Sequence, residues 1–319
     1  MPPATATALC WFLSLIGLVG MASADSATIH PTADTALFEL DGSRDHNFGA
    51  EPEIPVGTIG PTGGAARARA LFRFDIETSL PPGATVTAAT FRVRAVMTPS
   101  SEGSRLFSLN RSLVPWIEGR GLGGLPGGSQ ALAGEPTWNN RAHPSSPWAS
   151  PGGAHEDGLA DEPSATATFP ASGTPPVTVS FTFNPQGIAA VQDMLDSPAQ
   201  NFGWFLFDLV EDSNKSARRI ATREHATHPP ELEITFTPPA PPPTPSILSI
   251  TFAPPDLDIV FVASSGIAYR LEENSGLTAG LWSPLQSLDP APDDSPRTFT
   301  VPNPPPGHQF YRIVASFPP

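Results

Sequence analysis

The chain has 319 residues, which is long enough for two domains, and 39% of them are hydrophobic, which is sufficient for a core. Its 41 prolines and 27 glycines, together with intact hydrophobic runs, indicate a loop-rich β protein rather than a disordered chain. The formal net charge of −14 argues against non-specific attraction to nucleic acid or to anionic lipid.

The first 24 residues are typical of a secretory signal peptide. In "ALCWFLSLIGLVGMASAD" a short apolar run precedes small residues, with Ala22 and Ala24 at positions −3 and −1 before Asp25. The run of about 15 residues is too short for a comfortable membrane span. We therefore expect a secreted or cell-surface protein with no membrane insertion after cleavage. The single cysteine, Cys10, lies in this leader, so we expect neither a disulfide nor a thiolate site in the mature chain.

Alternating apolar and polar residues predict β-strands in the part of the chain that follows the leader. In "ARARALFRFDI" (Ala66–Ile76) and "TFRVRAVM" (Thr90–Met97), apolar side chains form one face and arginines project from the other. The intervening "LPPGAT" predicts a turn. Further strands are predicted at "VTVSFTF" (177–183), "GWFLFDLV" (203–210) and "ELEITFT" (231–237).

A single helix interrupts this strand pattern. Asn184 suits an N-cap, Pro185 suits the first turn, and an apolar stripe follows until Ser197 and Pro198 end the helix. Many short strands with one short helix predict an all-β fold, here a jelly-roll-type β-sandwich over residues 25–237.

A proline-rich linker separates this part from a second, smaller one. The segment "TPPAPPPTPS" (Thr237–Ser246) is typical of a semi-rigid spacer, and we assign residues 238–246 to the linker. Residues 247–319 contain six or seven short strand patterns, from "SILSITF" to "HQFYRIVAS". They predict a small immunoglobulin-like or fibronectin-like sandwich.

Seven segments follow one another along the first part, namely "TIHPTADTALFE", "HNFGAEPEIPVG", "RALFRFDIETSLPPGATVTAATFRVRAV", "VPWIEG", "GEPTWNN", "NFGWFLF" and "ATREHATHPPELEITF". In this order they resemble the DNRLRE domain, a jelly-roll-type module of secreted bacterial and archaeal proteins. The likeness extends over residues 25–237, and it departs from the usual pattern at the glycine-rich "RGLGGLPGGSQALA" and in the long segment before Val177. The resemblance implies a non-catalytic accessory domain. Some relatives bind acidic polysaccharides such as alginate, and others adjoin polysaccharide lyases, hydrolases or cell-surface repeats.

Three tryptophans lie in loop-like segments of this first part. In the resembling family "TWNN" is a recurrent signature, which favours a structural role: Trp138 capping the sandwich while Asn139 and Asn140 bond loop backbone. We interpret Trp116 of "VPWIEG" in the same way. Trp148 follows the signature, and it is a candidate platform on which a sugar ring could stack.

Arginines on the polar faces of the two predicted strands form the main candidate glycan site. These are Arg67, Arg69, Arg73, Arg92 and Arg94. If the strands pair, Arg69 and Arg94 fall nearly opposite each other, and the carboxylates of a polyuronate would relieve their repulsion through bidentate contacts. The other interpretation is a solvated face on which arginines pair with the many acids. The strands could also lie in different sheets, which would divide the patch.

Acidic loops suggest a structural Ca²⁺ ion. The segments "ELDGSRDHN" (Glu39–Asn47) and "DLVEDSN" (Asp208–Asn214) concentrate oxygen ligands, although neither has EF-hand spacing. The candidate ligands are Asp34, Asp41, Asp45 and Asp212. Zinc at "HATH" (His225–His228) is disfavoured because no third ligand accompanies the histidines.

No catalytic motif is recognisable, so we expect that the protein is not an enzyme. The nucleophile elbow, the zinc-protease motif and the lysine-bearing phosphate loop are all missing from the sequence. Adjacent acids such as Glu211 and Asp212 stay open as a glycosidase pair. We expect a secreted, non-catalytic accessory protein that recognises an acidic polysaccharide. The alternative is a structural or adhesion module that binds cell-surface proteins or its own copies and no glycan.

Overall fold

The computed structural model describes residues 24–98, 103–124, 127–153, 159–171, 176–211, 215–276, 282–305 and 309–317. The predicted leader lies outside these residues except for Ala24. The chain divides between Pro238 and Pro239 into an N-terminal and a C-terminal unit, each with its own internal contacts. Among the described residues, no helix is both long and apolar enough to span a membrane.

The N-terminal unit is built almost entirely of strands, as the sequence predicts. Its strands are β1 (Asp25–Ile29), β2 (Pro31–Phe38), β3 (His46–Asn47), β4 (Glu53–Thr58), β5 (Arg67–Phe74), β6 (Thr85–Met97), β7 (Arg105–Arg111), β8 (Ser129–Gln130), β9 (Asn140–Ala142), β10 (Ser146–Pro147), β11 (Ala165–Phe169), β12 (Val177–Thr182), β13 (Trp204–Asp208), β14 (Arg218–Ala221) and β15 (Glu231–Thr237). The helix α1 spans Pro185–Asp196, and short 3-10 helices span Pro61–Gly63 and Pro198–Gln200. The all-β prediction is confirmed.

Two antiparallel layers form this unit. One layer follows the order β1-β15-β6-β14-β4, with β12 also paired to β6. The other contains β5, β13, β7 and β11, with β2 also paired to β5. Because β4 pairs with β14 in the first layer and with β5 in the second, the sheet curls continuously from one layer into the other.

The main core lies between these layers and uses the faces that strand alternation predicts. Phe72 and Phe74 of β5 are buried, and so is Phe91 of β6 in the opposite layer. The rings of Phe72 and Phe91 are 5.1 Å apart, which joins the two layers by direct aromatic contact. Met97, whose parity also predicts an inward side chain, is exposed because it ends β6.

The helix begins and ends where the sequence predicts. The Asn184 side chain accepts a hydrogen bond from the Gly187 N–H at 2.8 Å, which satisfies one of the unpaired amides of the first turn. Pro185 follows the cap directly, and Ser197 caps the C-terminal end. Val191 and Leu195 are buried in the main core, so the apolar stripe packs the helix against the strands.

The C-terminal unit is a small β-sandwich, as predicted. Its strands are β16 (Ser246–Ala253), β17 (Asp256–Val262), β18 (Ala268–Asn274), β19 (Ser283–Leu288), β20 (Pro296–Pro302) and β21 (Phe310–Ser316). They form two three-stranded sheets, β16-β17-β20 and β19-β18-β21. Phe261 contacts both Tyr269 and Phe299 in the core between them. The Tyr269 hydroxyl accepts a hydrogen bond from the Ser264 N–H at 2.6 Å, so its polar end is satisfied.

Candidate functional site

A second apolar layer covers the outer face of the sheet that contains β5. This tryptophan layer consists of Ala33, Leu37, Leu71, Trp116, Trp138, Trp148, Leu159, Phe205 and Phe207. The indole of Trp116 donates to the Phe202 carbonyl at 2.7 Å, and that of Trp148 donates to the Thr137 carbonyl at 2.8 Å. Trp116 and Trp138 are only 3% and 1% exposed, which confirms the structural interpretation of both.

Trp148 corrects one expectation, because it is not an exposed platform. Only 6% of its surface is exposed, and its ring packs edge-on against Phe205 at 5.8 Å. The neighbouring asparagines also differ from expectation. Asn139 donates to the Asp45 carboxylate rather than to backbone, and Asn140 is bonded through its main-chain N–H to the Thr137 hydroxyl.

Asn47 holds the loops of this layer together, and sequence reasoning did not single it out. Its amide nitrogen donates to the carbonyls of Glu118 and Pro136 at 3.0 and 3.2 Å. Its amide oxygen accepts from the N–H groups of Gly49 and Gly121, both at 2.9 Å. Since Asn47 belongs to "HNFG", a segment that carries the family resemblance, the signal was present in the sequence.

The arginines of β5 are bound by the protein's own acids and carbonyls. Arg69 is only 6% exposed and grips Glu211 through Nε and Nη2 at 2.7 and 2.6 Å. Arg67 makes the equivalent pair with Glu39 at 2.6 and 2.9 Å, and this contact lowers the pKa of the Glu39 carboxyl. Arg73 donates to the carbonyl of Trp116 at 3.0 Å.

The two arginine strands do not pair, so the alternative in which they lie apart and divide the patch holds. β5 pairs with β2, β4 and β13, whereas β6 pairs with β12, β14 and β15 in the other layer. Arg69 therefore does not lie opposite Arg94, and the arginines form two separate groups. Their shared alternation could not reveal this, because it fixes the face of a strand and not its neighbour.

An open groove lies on the outer face of β6, and it is lined in part by the other two predicted arginines, Arg92 and Arg94. This β6 groove has a volume of about 210 Å³ and is lined by Arg92, Val93, Arg94, Thr178, Thr227, His228, Pro229 and Glu231. Arg92 forms an ion pair with Glu233 at 2.5 Å. Arg94 lies opposite Thr178 across the strand pair, and no described residue gives it a hydrogen bond or an ion pair. Of the five predicted arginines, Arg94 is the one that has neither a hydrogen bond nor an ion pair with the described residues.

Acidic residues converge at a different place from the predicted calcium loops. Asp41 is almost fully exposed and pairs with Arg44, Asp45 accepts from Asn139, and Asp212 lies outside the described residues. The three predicted ligands that the structure describes, Asp34, Asp41 and Asp45, are therefore not brought together. Asp34 instead approaches Glu118 and Glu224, with one oxygen of each within 4.8 Å of the others. We call these three residues the acidic triad.

Burial and one arginine determine the electrostatics of the acidic triad. Burial raises the pKa of Asp34 well above its ordinary value and raises that of Glu224 as well. Arg223 holds Glu118 through two hydrogen bonds, at 2.5 and 2.7 Å, and this contact raises the arginine's own pKa. Glu118 and Glu224 were not predicted as site residues, although "VPWIEG" and "ATREH" belong to the segments of the family resemblance.

Comparisons with known proteins find little that resembles this chain. No protein-family model matches it, and no curated protein matches it. Among solved structures it is similar to a β-1,2-glucanase from Parabacteroides distasonis, with 10% sequence identity and a TM-score of 0.19, over 89% of this chain and 34% of that one. A likeness with this TM-score supports no argument about function.

Proposed function

We propose that this chain is a secreted, non-catalytic accessory protein that binds an acidic polysaccharide through the β6 groove. The observation that carries the proposal is Arg94, a cation on an open strand face that forms no hydrogen bond and no ion pair with the described residues. An anionic ligand would give the Arg94 guanidinium the partner of opposite charge that it lacks. The carboxylate of a uronic acid does so in a geometry that guanidinium binds bidentately.

The rest of the groove supplies groups that suit a sugar. Thr178 and Thr227 bring hydroxyls, and His228 brings a ring that stacks on His225 at 5.1 Å. Glu233 forms an ion pair with Arg92, and Glu231 lies opposite Arg92 across the β6–β15 pair, so Arg94 is the arginine of the groove that has no ion pair among the described residues. Because the whole chain carries a net charge of −14, a polyanion must be recognised locally.

The positions of the family segments support a DNRLRE-like module. "ADTAL", "VPWIEG", "TWNN" and "TREH" are far apart in sequence, yet each contributes a residue to the tryptophan layer or the acidic triad. "HNFG" contributes Asn47, which donates to the carbonyl of Pro136 next to "TWNN". This convergence gives the resemblance a physical reason, since each segment supplies a buried partner to another.

Ion pairing within the unit supports a non-catalytic role. A glycosidase needs two carboxyl groups that are free to reach the scissile bond. Glu211, the acid considered for such a pair, has both oxygens engaged by Arg69. Its sequence neighbour Asp212 lies outside the described residues.

Affinity electrophoresis of the mature protein through gels that contain alginate, pectin, xylan or cellulose tests the proposal. We expect retardation in a gel with an acidic polysaccharide. Arg94→Ala should weaken binding by roughly 10- to 150-fold, the equivalent of a charge-assisted contact of about 1.5–3 kcal/mol. Arg44→Ala removes an equally charged side chain elsewhere on the unit and should leave the retardation unchanged. Retardation that survives Arg94→Ala, or none in any gel, would refute the proposal.

One observation favours a second function, self-association at a surface or in a matrix. Every residue of β16 is exposed, including the large apolar side chains of Ile247 (49%), Ile250 (62%) and Phe252 (60%). β16 lies at the edge of its sheet, so its outer backbone groups can pair antiparallel with β16 of a second copy. Sedimentation velocity should then show dimers that Ile250→Lys abolishes. A monomer at all concentrations would rule this function out.

A further inference from the structure

Three carboxylates from distant parts of the chain meet in the acidic triad. Asp34 lies in β2, Glu118 in the loop after β7, and Glu224 directly after β14. One oxygen of each lies within 4.8 Å of the other two. Calcium binds oxygens at roughly 2.3–2.6 Å, so two ligands on opposite sides of one ion are up to about 5 Å apart. The spread of the triad therefore fits a single Ca²⁺ ion.

Two oxygens of the triad have coordination capacity that the described residues do not use. Asp34 is completely buried, and its Oδ1 receives no hydrogen bond from them. Its other oxygen accepts the Arg223 N–H at 2.8 Å, which fixes the orientation of the carboxylate. The Oε2 atom of Glu224 is likewise buried without a hydrogen-bond partner among these residues. Leaving charged oxygens in this state costs free energy that a bound cation would offset.

The charges of the cluster leave room for a divalent ion. With all three carboxyl groups ionised the triad carries three negative charges, and Arg223 supplies one positive charge through contacts with Glu118 and, at 2.9 Å, with Glu224. The remainder is two negative charges. Hard oxygen ligands of this kind suit Ca²⁺ and do not suit soft metals.

We propose that Asp34, Glu118 and Glu224 bind a hard divalent cation of the Ca²⁺ type that ties β2 to the loops bearing the two glutamates. The site differs from the β6 groove in all its residues, and it does not depend on glycan binding. Its role is structural, since the ion would join three segments that are far apart in sequence.

Protonation of Asp34 is the alternative to a bound cation, because it also removes the cost of burying a charged carboxylate. A neutral carboxyl needs no ion, so the protein would then be indifferent to calcium. Asp34→Asn mimics the neutral form with nearly the same shape. It separates the two states because it removes the negative charge that a cation requires and leaves a neutral group like the protonated carboxyl in place.

Calorimetry of the mature chain, stripped with EDTA and without any polysaccharide, tests the proposal. Ca²⁺ should bind with measurable heat in isothermal titration. At a hundredfold excess over Kd it should also raise the Tm of the N-terminal unit by about 5–10 °C. Asp34→Asn and Glu224→Gln should each abolish both effects.

The matched control is Asp41→Asn, which removes an exposed acid outside the triad and should keep both effects. If neither Ca²⁺ nor Mg²⁺ binds to the stripped wild-type protein, the proposal is overturned. It is equally overturned if both triad variants bind calcium like the wild type. Should Asp34→Asn fail to fold, Glu224→Gln decides by the same two readouts, because Glu224 is partly exposed.

Discussion

Removing the Glu211 carboxylate should destabilise the N-terminal unit far more than removing a surface acid. Arg69 packs against the tryptophan layer, with its guanidinium 5.6 Å from the Trp138 ring and 5.4 Å from that of Phe207. Glu211→Ala would leave this buried charge without its counter-ion, and breaking such a pair costs about 3–5 kcal/mol. For a unit of this size, that corresponds to a fall in Tm of roughly 6–20 °C.

The pair of Arg92 and Glu233 provides the matched comparison, because both of its side chains are more than one-third exposed. Glu233→Ala should cost only about 0.2–1 kcal/mol. The double variant Arg69→Met/Glu211→Leu should recover most of the loss, since apolar side chains of similar volume replace a buried ion pair at little cost.

Urea unfolding followed by tryptophan fluorescence measures these differences. The signal reports mainly the N-terminal unit, which holds Trp116, Trp138, Trp148 and Trp204. If Glu211→Ala costs less than about 1 kcal/mol, the pair behaves like a surface pair and the reasoning from burial is refuted.

Three further outcomes are expected. Asn47→Ala should lower the free energy of unfolding, measured in urea, by roughly 2–6 kcal/mol, because two buried N–H groups lose their acceptor. A loss below about 1 kcal/mol would contradict the role of Asn47 in joining the loops. Trp148→Ala should lower the free energy of unfolding by about 3–5 kcal/mol and leave the Kd for a glycan unchanged. Weaker glycan binding by the folded variant would show that Trp148 contacts the ligand after all. Arg312 and Arg270 lower the pKa of Glu272 through hydrogen bonds, so this carboxylate stabilises the C-terminal unit above its ordinary pKa of about 4.3. Stability should be lost as the pH falls through the lowered value, and Glu272→Gln should reduce that dependence in thermal unfolding scans at stepped pH.

Much of the fold was predictable because strand alternation and capping are local. The apolar face of β5 and the Asn184 cap of α1 follow from residues within a few positions of each other. Strand neighbours are not local in this sense. "LPPGAT" predicts a turn, and a turn is compatible with a hairpin. β5 instead pairs with β2, β4 and β13, and β6 pairs with β12, β14 and β15, so the two strands enter different layers.

The candidate sites divide in the same way. The acidic composition of two loops suggested calcium ligands, but ligation requires convergence in space. Of the three predicted acids that the structure describes, only Asp34 takes part in the acidic triad. Glu118 and Glu224 come from segments more than a hundred residues apart, so no spacing rule could have joined them.

By itself, the sequence determined five strands of the N-terminal unit (β5, β6, β12, β13 and β15), the all-β class, the helix with its cap and the two strand-rich parts, since each depends on side-chain type and short-range periodicity. Only the tertiary structure decided which polar face stays open. The arginines of β5 and β6 have the same alternation. The tryptophan layer nevertheless buries Arg69 with Glu211, whereas Arg94 lines an open groove. The physical reason is that a side chain's exposure depends on what covers its strand, and that cover comes from loops distant in sequence.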